Sequence, residues 1–113
     1  MAQDAGALSD LFDNNRRWAA QTEARQPGFF TRLAQQQAPK YMWIGCADSR
    51  VSPELVFDQA PGDLFVVRVA GNFLTTDGLG SLEYGAAVLG TRVIVVLGHT
   101  SCGAIKAGLN ESI

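Results

Sequence analysis

Histidine occurs once in these 113 residues and cysteine twice, at His99, Cys46 and Cys102. Long apolar runs are missing too. No uninterrupted stretch approaches the roughly 20 residues that span a bilayer, and the opening "MAQDAGALSD" lacks the basic start and apolar h-region of a secretory signal. A cytoplasmic location is therefore expected, with no membrane partner. That setting disfavours a structural disulfide and leaves thiol chemistry or metal binding for the two cysteines. An excess of one charge is also absent: nine Lys and Arg against eleven Asp and Glu give a net charge of -2. The basic residues are scattered, so no footprint for nucleic acid or an acidic membrane exists, and a small or neutral partner is expected. Repeats, low-complexity tracts and Ser/Gly-rich linkers are missing as well. Residues 1–113 read as a single domain with no internal boundary, and a 47% hydrophobic content allows it a modest core.

What is present has a clear order. "LSDLFDNNRRWAAQTEA", Leu8 to Ala24, spaces Leu8, Leu11, Phe12, Trp18 and Ala19 as on one face of an amphipathic helix. Pro27 and Gly28 punctuate it, and "FFTRLAQQQ" restarts a shorter helix that ends before Pro39. "YMWIG" (Tyr41–Gly45), "LFVVRVA" (Leu64–Ala70) and "RVIVVLG" (Arg92–Gly98) are short, nearly continuously apolar runs that suit strands covered on both faces. Between the last two, "GLGSLEYGAAVLG" repeats Leu79, Leu82, Ala86 and Leu89 at helical intervals, with Asp77 to cap its start and Gly90 its end. A strand, a crossover-length helix and another strand predict a right-handed βαβ unit. The fold class is α/β: a mostly parallel sheet flanked by helices, with an N-terminal helical arm.

Ligand sites in such sheets lie beyond the carboxyl ends of the strands. Cys46 follows the first strand, and Cys102 follows the third, three residues after His99. Thiolate and imidazole are zinc donors, the His-x-x-Cys pair can chelate locally, and Cys46 completes a set of three; Asp48 is the nearby candidate for a fourth. Buried packing thiols and a nucleophilic cysteine are the competing readings. Ser101 is placed to cap a helix opening at Cys102, whose positive end favours a thiolate. Asp48 and Arg50 make either an exposed ion pair or, beside a metal, a gate. Held by Arg50, Asp48 leaves the fourth position open; swung onto the metal, it closes it.

"CADSR" (Cys46–Arg50) and "GHTSCGA" (Gly98–Ala104), with "FDQAPGDLFVVRVAGN" and "GSLEYGAAVLG" between them, resemble the signatures of the β-class carbonic anhydrases in order and spacing. The resemblance implies one Zn2+ per chain on Cys46, His99 and Cys102, with Asp48 a fourth ligand in a closed state and Arg50 its partner in the open one. It implies reversible hydration of carbon dioxide to bicarbonate and a proton by zinc-bound hydroxide. Gln37, Phe65 and Tyr84 match positions lining the family's cleft, the first two reaching in from a neighbouring subunit of a homodimer or larger homo-oligomer. Val51 and Gly103 match apolar and backbone positions beside the metal. Trp43 and Arg68 match a non-catalytic bicarbonate site of the allosteric subgroup, although Trp43 also reads as strand core. The chain departs from the pattern at Val69, in "RVAGN", where a polar residue is common, and by stopping where family chains continue with a further strand and helices. It is expected to lack that C-terminal part. The alternatives are a related zinc hydrolase acting on carbon disulfide or carbonyl sulfide, a non-catalytic zinc module, and a redox dithiol of Cys46 and Cys102.

Overall fold

In a computed structural model, which describes residues 5–110, the chain divides after Gln36 into two compact units. The first is a helical pair. Helix α1, Ala5–Arg25, is built largely from Ala, Arg, Gln, Leu and Glu, all good helix formers, and ends on Arg25, whose charge suits the negative helix terminus. Gly28 makes the turn into α2, Phe29–Gln35, at φ +82°, where a Cβ would also stand 3.0 Å from the Arg32 guanidinium. Phe29 is buried, and Phe30 packs edge-on against both Phe29 and Trp18. The expected apolar stripe of α1 is otherwise open: Leu8, Leu11 and Phe12 are all more than half exposed.

The second unit contains a three-stranded parallel sheet in the order β2-β1-β3, with β1 at Tyr41–Gly45, β2 at Leu64–Arg68 and β3 at Ile94–Val96. In register, Tyr41 faces Leu64, Gly45 faces Arg68, and Met42 faces Ile94. The α/β class and the parallel sheet agree with the sequence pattern, and β1 has the bounds read from it. The other two strands are trimmed. Coverage on both faces holds for β1 alone, which is buried from Met42 to Gly45; β2 is half-buried and β3 largely exposed. The central place of β1 is the cause, because a neighbour flanks it on each side while β3 forms an edge.

Helix α4, Thr76–Ala87, follows β2 and packs on the sheet, so that Leu82 joins Met42 and Ile44 in the core with Phe65 and Val67 against them. Gly85 permits this approach: a Cβ there would lie 2.5 Å from the Met42 sulfur. Asp77 does not cap α4. Thr75 does, its hydroxyl accepting from the Gly78 N–H, because Asp77 already lies inside the first turn. Gly90, at φ +71°, turns the chain away two residues beyond the C-cap Val88. A short helix that the apolar pattern does not show, α3 at Pro53–Val56, starts with Pro at its first position. The last described helix, α5, covers Gly103–Leu109. Thr91 is buried and donates its hydroxyl to the Pro39 carbonyl at 3.0 Å, tying the approach to β3 to the approach to β1.

Candidate metal centre

The ladder between β1 and β2 runs past both strand ends: Val69 N donates to the Gly45 carbonyl, and Ala47 N to the Val69 carbonyl. This carries Cys46 out of the sheet in a fixed direction. Its side chain is 5% exposed, and its sulfur accepts from the Gly71 N–H at 3.3 Å. The segment beyond β3 supplies the partners. Cys102 Sγ lies 3.8 Å from Cys46 Sγ, and the donor atoms of Cys46, His99 and Cys102 all lie within 4.8 Å of one another. The soft donors of the sequence thus meet at the carboxyl edge of the sheet.

The chemistry of His99 shows what this cluster fits. Nδ1 lies 2.8 Å from the Thr100 carbonyl, which can only accept, so Nδ1 carries a proton and the ring, when neutral, presents a bare lone pair at Nε2. That atom is buried and makes no hydrogen bond. A desolvated imidazole lone pair beside two thiols, with its other nitrogen anchored on a carbonyl, is the donor arrangement of a zinc site. In the metal-free protein, interaction with the His99 ring is the main influence holding the Cys46 thiol down at about 6 against an ordinary 9.0; the Gly71 N–H assists and burial opposes. The same interaction raises His99 above its ordinary 6.5.

Asp48 stands beside the cluster. Its carboxylate accepts from Arg50 Nε at 2.9 Å, from Arg50 Nη2 at 2.7 Å and from the Arg50 backbone N–H at 2.9 Å. These bonds keep it well below the usual carboxylate range and raise the guanidinium in turn. Oδ2 nevertheless lies only 3.7 Å from His99 Nε2. Arg50 Nη2 also donates to the Ser101 carbonyl at 3.0 Å, bridging the loop of Cys46 to the loop of Cys102. Ser101 does not cap α5. It adopts a left-handed φ of +58°, and Cys102 is itself the N-cap, without a side-chain capping bond.

A cleft of about 350 Å3 opens between these loops, with Cys46, Asp48, Arg50, Cys102 and Gly103 among its lining residues. Of the positions read as substrate-binding, only Gly103 is there. Val51 sits at the end of the Asp48 turn, its N–H donating to the Asp48 carbonyl at 3.1 Å. Phe65 and Tyr84 pack on each other, ring centroids 6.0 Å apart, with Phe65 in register with Met42, four residues before Cys46. That separation is about 13 Å along the strand. Gln37 is exposed ahead of β1. Trp43 is 2% exposed and stacks edge-on with Phe57.

Two residues that reasoning from the sequence left without a role at the metal also shape the site. Asn72, at φ +58°, donates from Nδ2 to the Leu97 carbonyl at 2.9 Å, joining the turn after β2 to the end of β3. Arg68 donates to three carbonyls of the Cys46 loop. The sequence signal for both lies in "RVAGN": an arginine ending an apolar strand and an Asn following Gly at a turn.

An α/β sheet that gathers two thiols and an imidazole at its carboxyl edge, with an arginine-held carboxylate beside them, defines a class of protein with a mononuclear zinc site. A family model described as carbonic anhydrase matches residues 41–113. Carbonic anhydrase 2 of Mycobacterium tuberculosis is 54% identical over 77 residues, covering 68% of this chain and 37% of that protein. Among solved structures, the Coccomyxa β-carbonic anhydrase in complex with acetazolamide aligns at a TM-score of 0.84 and 47% identity, over 90% of this chain and 47% of that one. One of two tetrameric β-carbonic anhydrases from Sordaria macrospora aligns at a TM-score of 0.87 and 34% identity, over 92% and 54%. The chain belongs to the carbonic anhydrase family, in its β class. It spans between 37% and 54% of the length of these relatives.

Proposed function

We propose that this protein catalyses the reversible hydration of carbon dioxide to bicarbonate and a proton. The observation that carries the reading is the buried, unpaired Nε2 of His99 facing two thiols in a chain of this family. Cys46, His99 and Cys102 would hold zinc, with Asp48 as the group that approaches or withdraws. Zinc, when bound, lowers the pKa of a water toward about 7 and so supplies a nucleophile near neutrality; two thiolate donors place that pKa higher than imidazoles alone would.

The chain's own groups do the rest. Asp48, kept ionised by Arg50, offers an oxygen acceptor at the mouth of the cluster, which orients a reacting water by accepting its hydrogen. Gly103, at the first position of α5, brings a backbone N–H to the cleft, where it can donate to an oxygen of bicarbonate. With His99 assigned to the metal and no second histidine among these 113 residues, proton export falls to buffer or to another group. Gln37 and Phe65 serve the cleft of a second subunit in a homo-oligomer, in line with the tetrameric Sordaria relative. A cytoplasmic location fits a chain whose described helices include none long and apolar enough to cross a membrane.

The test measures zinc content and hydration on one size-characterised sample, alongside Cys46→Ser. The expected result is one zinc per chain and a rate that rises from about pH 7 to about pH 9, with both lost in the variant. A zinc-loaded oligomer with no hydration above buffer sinks the catalytic reading in favour of a structural zinc module. Turnover of carbon disulfide or carbonyl sulfide in place of carbon dioxide would move the substrate assignment.

A further inference from the structure

The loop from Cys46 to Val51 carries one metal donor and the carboxylate of the gate, yet it is not part of any strand. Two arginines hold it, one from within the loop and one from β2. Arg50 engages the Asp48 side chain. Arg68, the last residue of β2 and the register partner of Gly45, engages only backbone: Nε donates to the Cys46 carbonyl at 2.8 Å, and Nη2 donates to the carbonyls of Asp48 at 2.8 Å and Val51 at 3.1 Å. The Asp48 carbonyl receives the Val51 N–H as well, which closes the turn.

We infer that Arg68 is a positioning residue for the zinc site: its half-buried guanidinium fixes the backbone of Cys46, Asp48 and Val51, so that the gate moves by side-chain rotation of Asp48 rather than by drift of the loop. The planar fork of arginine suits this task, since Nε and Nη2 project in fixed directions toward three carbonyls that have left the sheet. A lysine ammonium has the charge but can reach one acceptor well, not three. Three of the five guanidinium N–H groups are spent on the loop. Those three are unavailable to a second-site anion while the loop keeps this form.

The inference rests on zinc as the ligand of the cluster but not on hydration, and its readouts are chosen accordingly. Zinc is titrated against a competing chelator into metal-free wild type, Arg68→Met and Arg68→Lys, and the visible spectrum of each Co2+-loaded protein is recorded. Loss of a group that orients a metal ligand costs on the order of 10- to 100-fold in affinity. Arg68→Met is expected in that range, with shifted cobalt bands as the freed loop backbone displaces Cys46 and Asp48, and Arg68→Lys recovers only part. A merely structural role would lower melting temperature while leaving affinity and spectrum of the folded protein unchanged, and that result overturns the inference, as does full rescue by lysine. Should both variants fail to fold, the unmutated protein decides. The Arg68 Nε–H should then resist solvent exchange and shift on zinc addition, and exchange as fast as that of exposed Arg92 sinks the idea. Wild type that binds zinc without hydrating carbon dioxide defeats the proposed function and leaves this inference standing.

Discussion

The two strand ends that meet at the metal centre are built differently. Cys46 leaves a central, buried strand, and its loop is fixed by Arg68, by Arg50 and by the N–H of Gly71. His99 and Cys102 leave an edge strand whose Ile94 and Val96 are 48% and 65% exposed. Their segment is held at Leu97 by Asn72, at Ser101 by Arg50 and at Thr100 by the His99 ring. Two of those three ties come from elsewhere in the fold. Both halves lean on contacts from outside their own strands; the difference is that one leaves a buried central strand and the other an exposed edge. A metal ion joining Cys46 to the other two donors therefore stabilises the second half more than the first.

The sharpest way to break this asymmetry is to remove the metal. A zinc concentration about 100 times its dissociation constant stabilises the bound form by about 2.7 kcal/mol, so chelation should lower the melting temperature by several degrees. Amide exchange should then rise more from Gly98 to Cys102 than from Cys46 to Val51. Equal increases in the two segments would erase the distinction.

Thiol alkylation of the metal-free protein probes the pair across the divide. Cys46 should react with a midpoint near 6, and His99→Ala should move that midpoint back toward 9.0. The linkage has a definite sign. A thiol with a depressed folded pKa contributes stability that is complete above 9.0 and lost as pH falls through about 6. His99 shifts upward, so its contribution is complete below 6.5 and lost as pH rises through its raised value. The two slopes oppose each other in a melting curve, whereas alkylation reads Cys46 directly.

Asn72→Gly keeps the left-handed backbone but deletes the donor to Leu97. It should cost about 1 kcal/mol and weaken zinc binding through the edge-strand half, as measured by denaturant unfolding and chelator competition. The smallest effect on the metal belongs to Thr75→Ala. Losing that cap costs about 1 kcal/mol of stability with zinc affinity unchanged, because α4 packs on the sheet away from both loops. A zinc defect in this variant would show the halves to be coupled through the core.

The same asymmetry marks what could be read from residue order. Local apolar runs are legible, and so is the rule that ligands gather beyond their carboxyl ends, hence β1 with its correct ends and three donors brought to one edge. Burial of each strand was not, since it depends on strand order, and a run such as "RVIVVLG" looks equally apolar at a centre or an edge. Capping was misassigned at Asp77 and Ser101 because several adjacent residues offer suitable oxygens and the backbone angles decide among them. The Asp48–Arg50 pair was visible as two charges two residues apart. Arg68 was not visible as a clamp, because nothing in its own neighbourhood shows that the carbonyls of Cys46, Asp48 and Val51 converge on it.

Strand order also has a consequence in time. A chain made from its N-terminus completes β1 and β2 first, and the two can pair across the connection that carries α3 while β3 is still unmade. Cys102, 56 residues after Cys46, arrives last and closes the longest loop of the site. Long-range parallel pairing is slow because its loop entropy is lost before its contacts form. For that interval Cys46 sits on a nearly finished half-site with no partner thiol, and the ion can be captured tightly only when the edge strand docks. Zinc uptake during refolding should accordingly report the final docking event, not the collapse that precedes it.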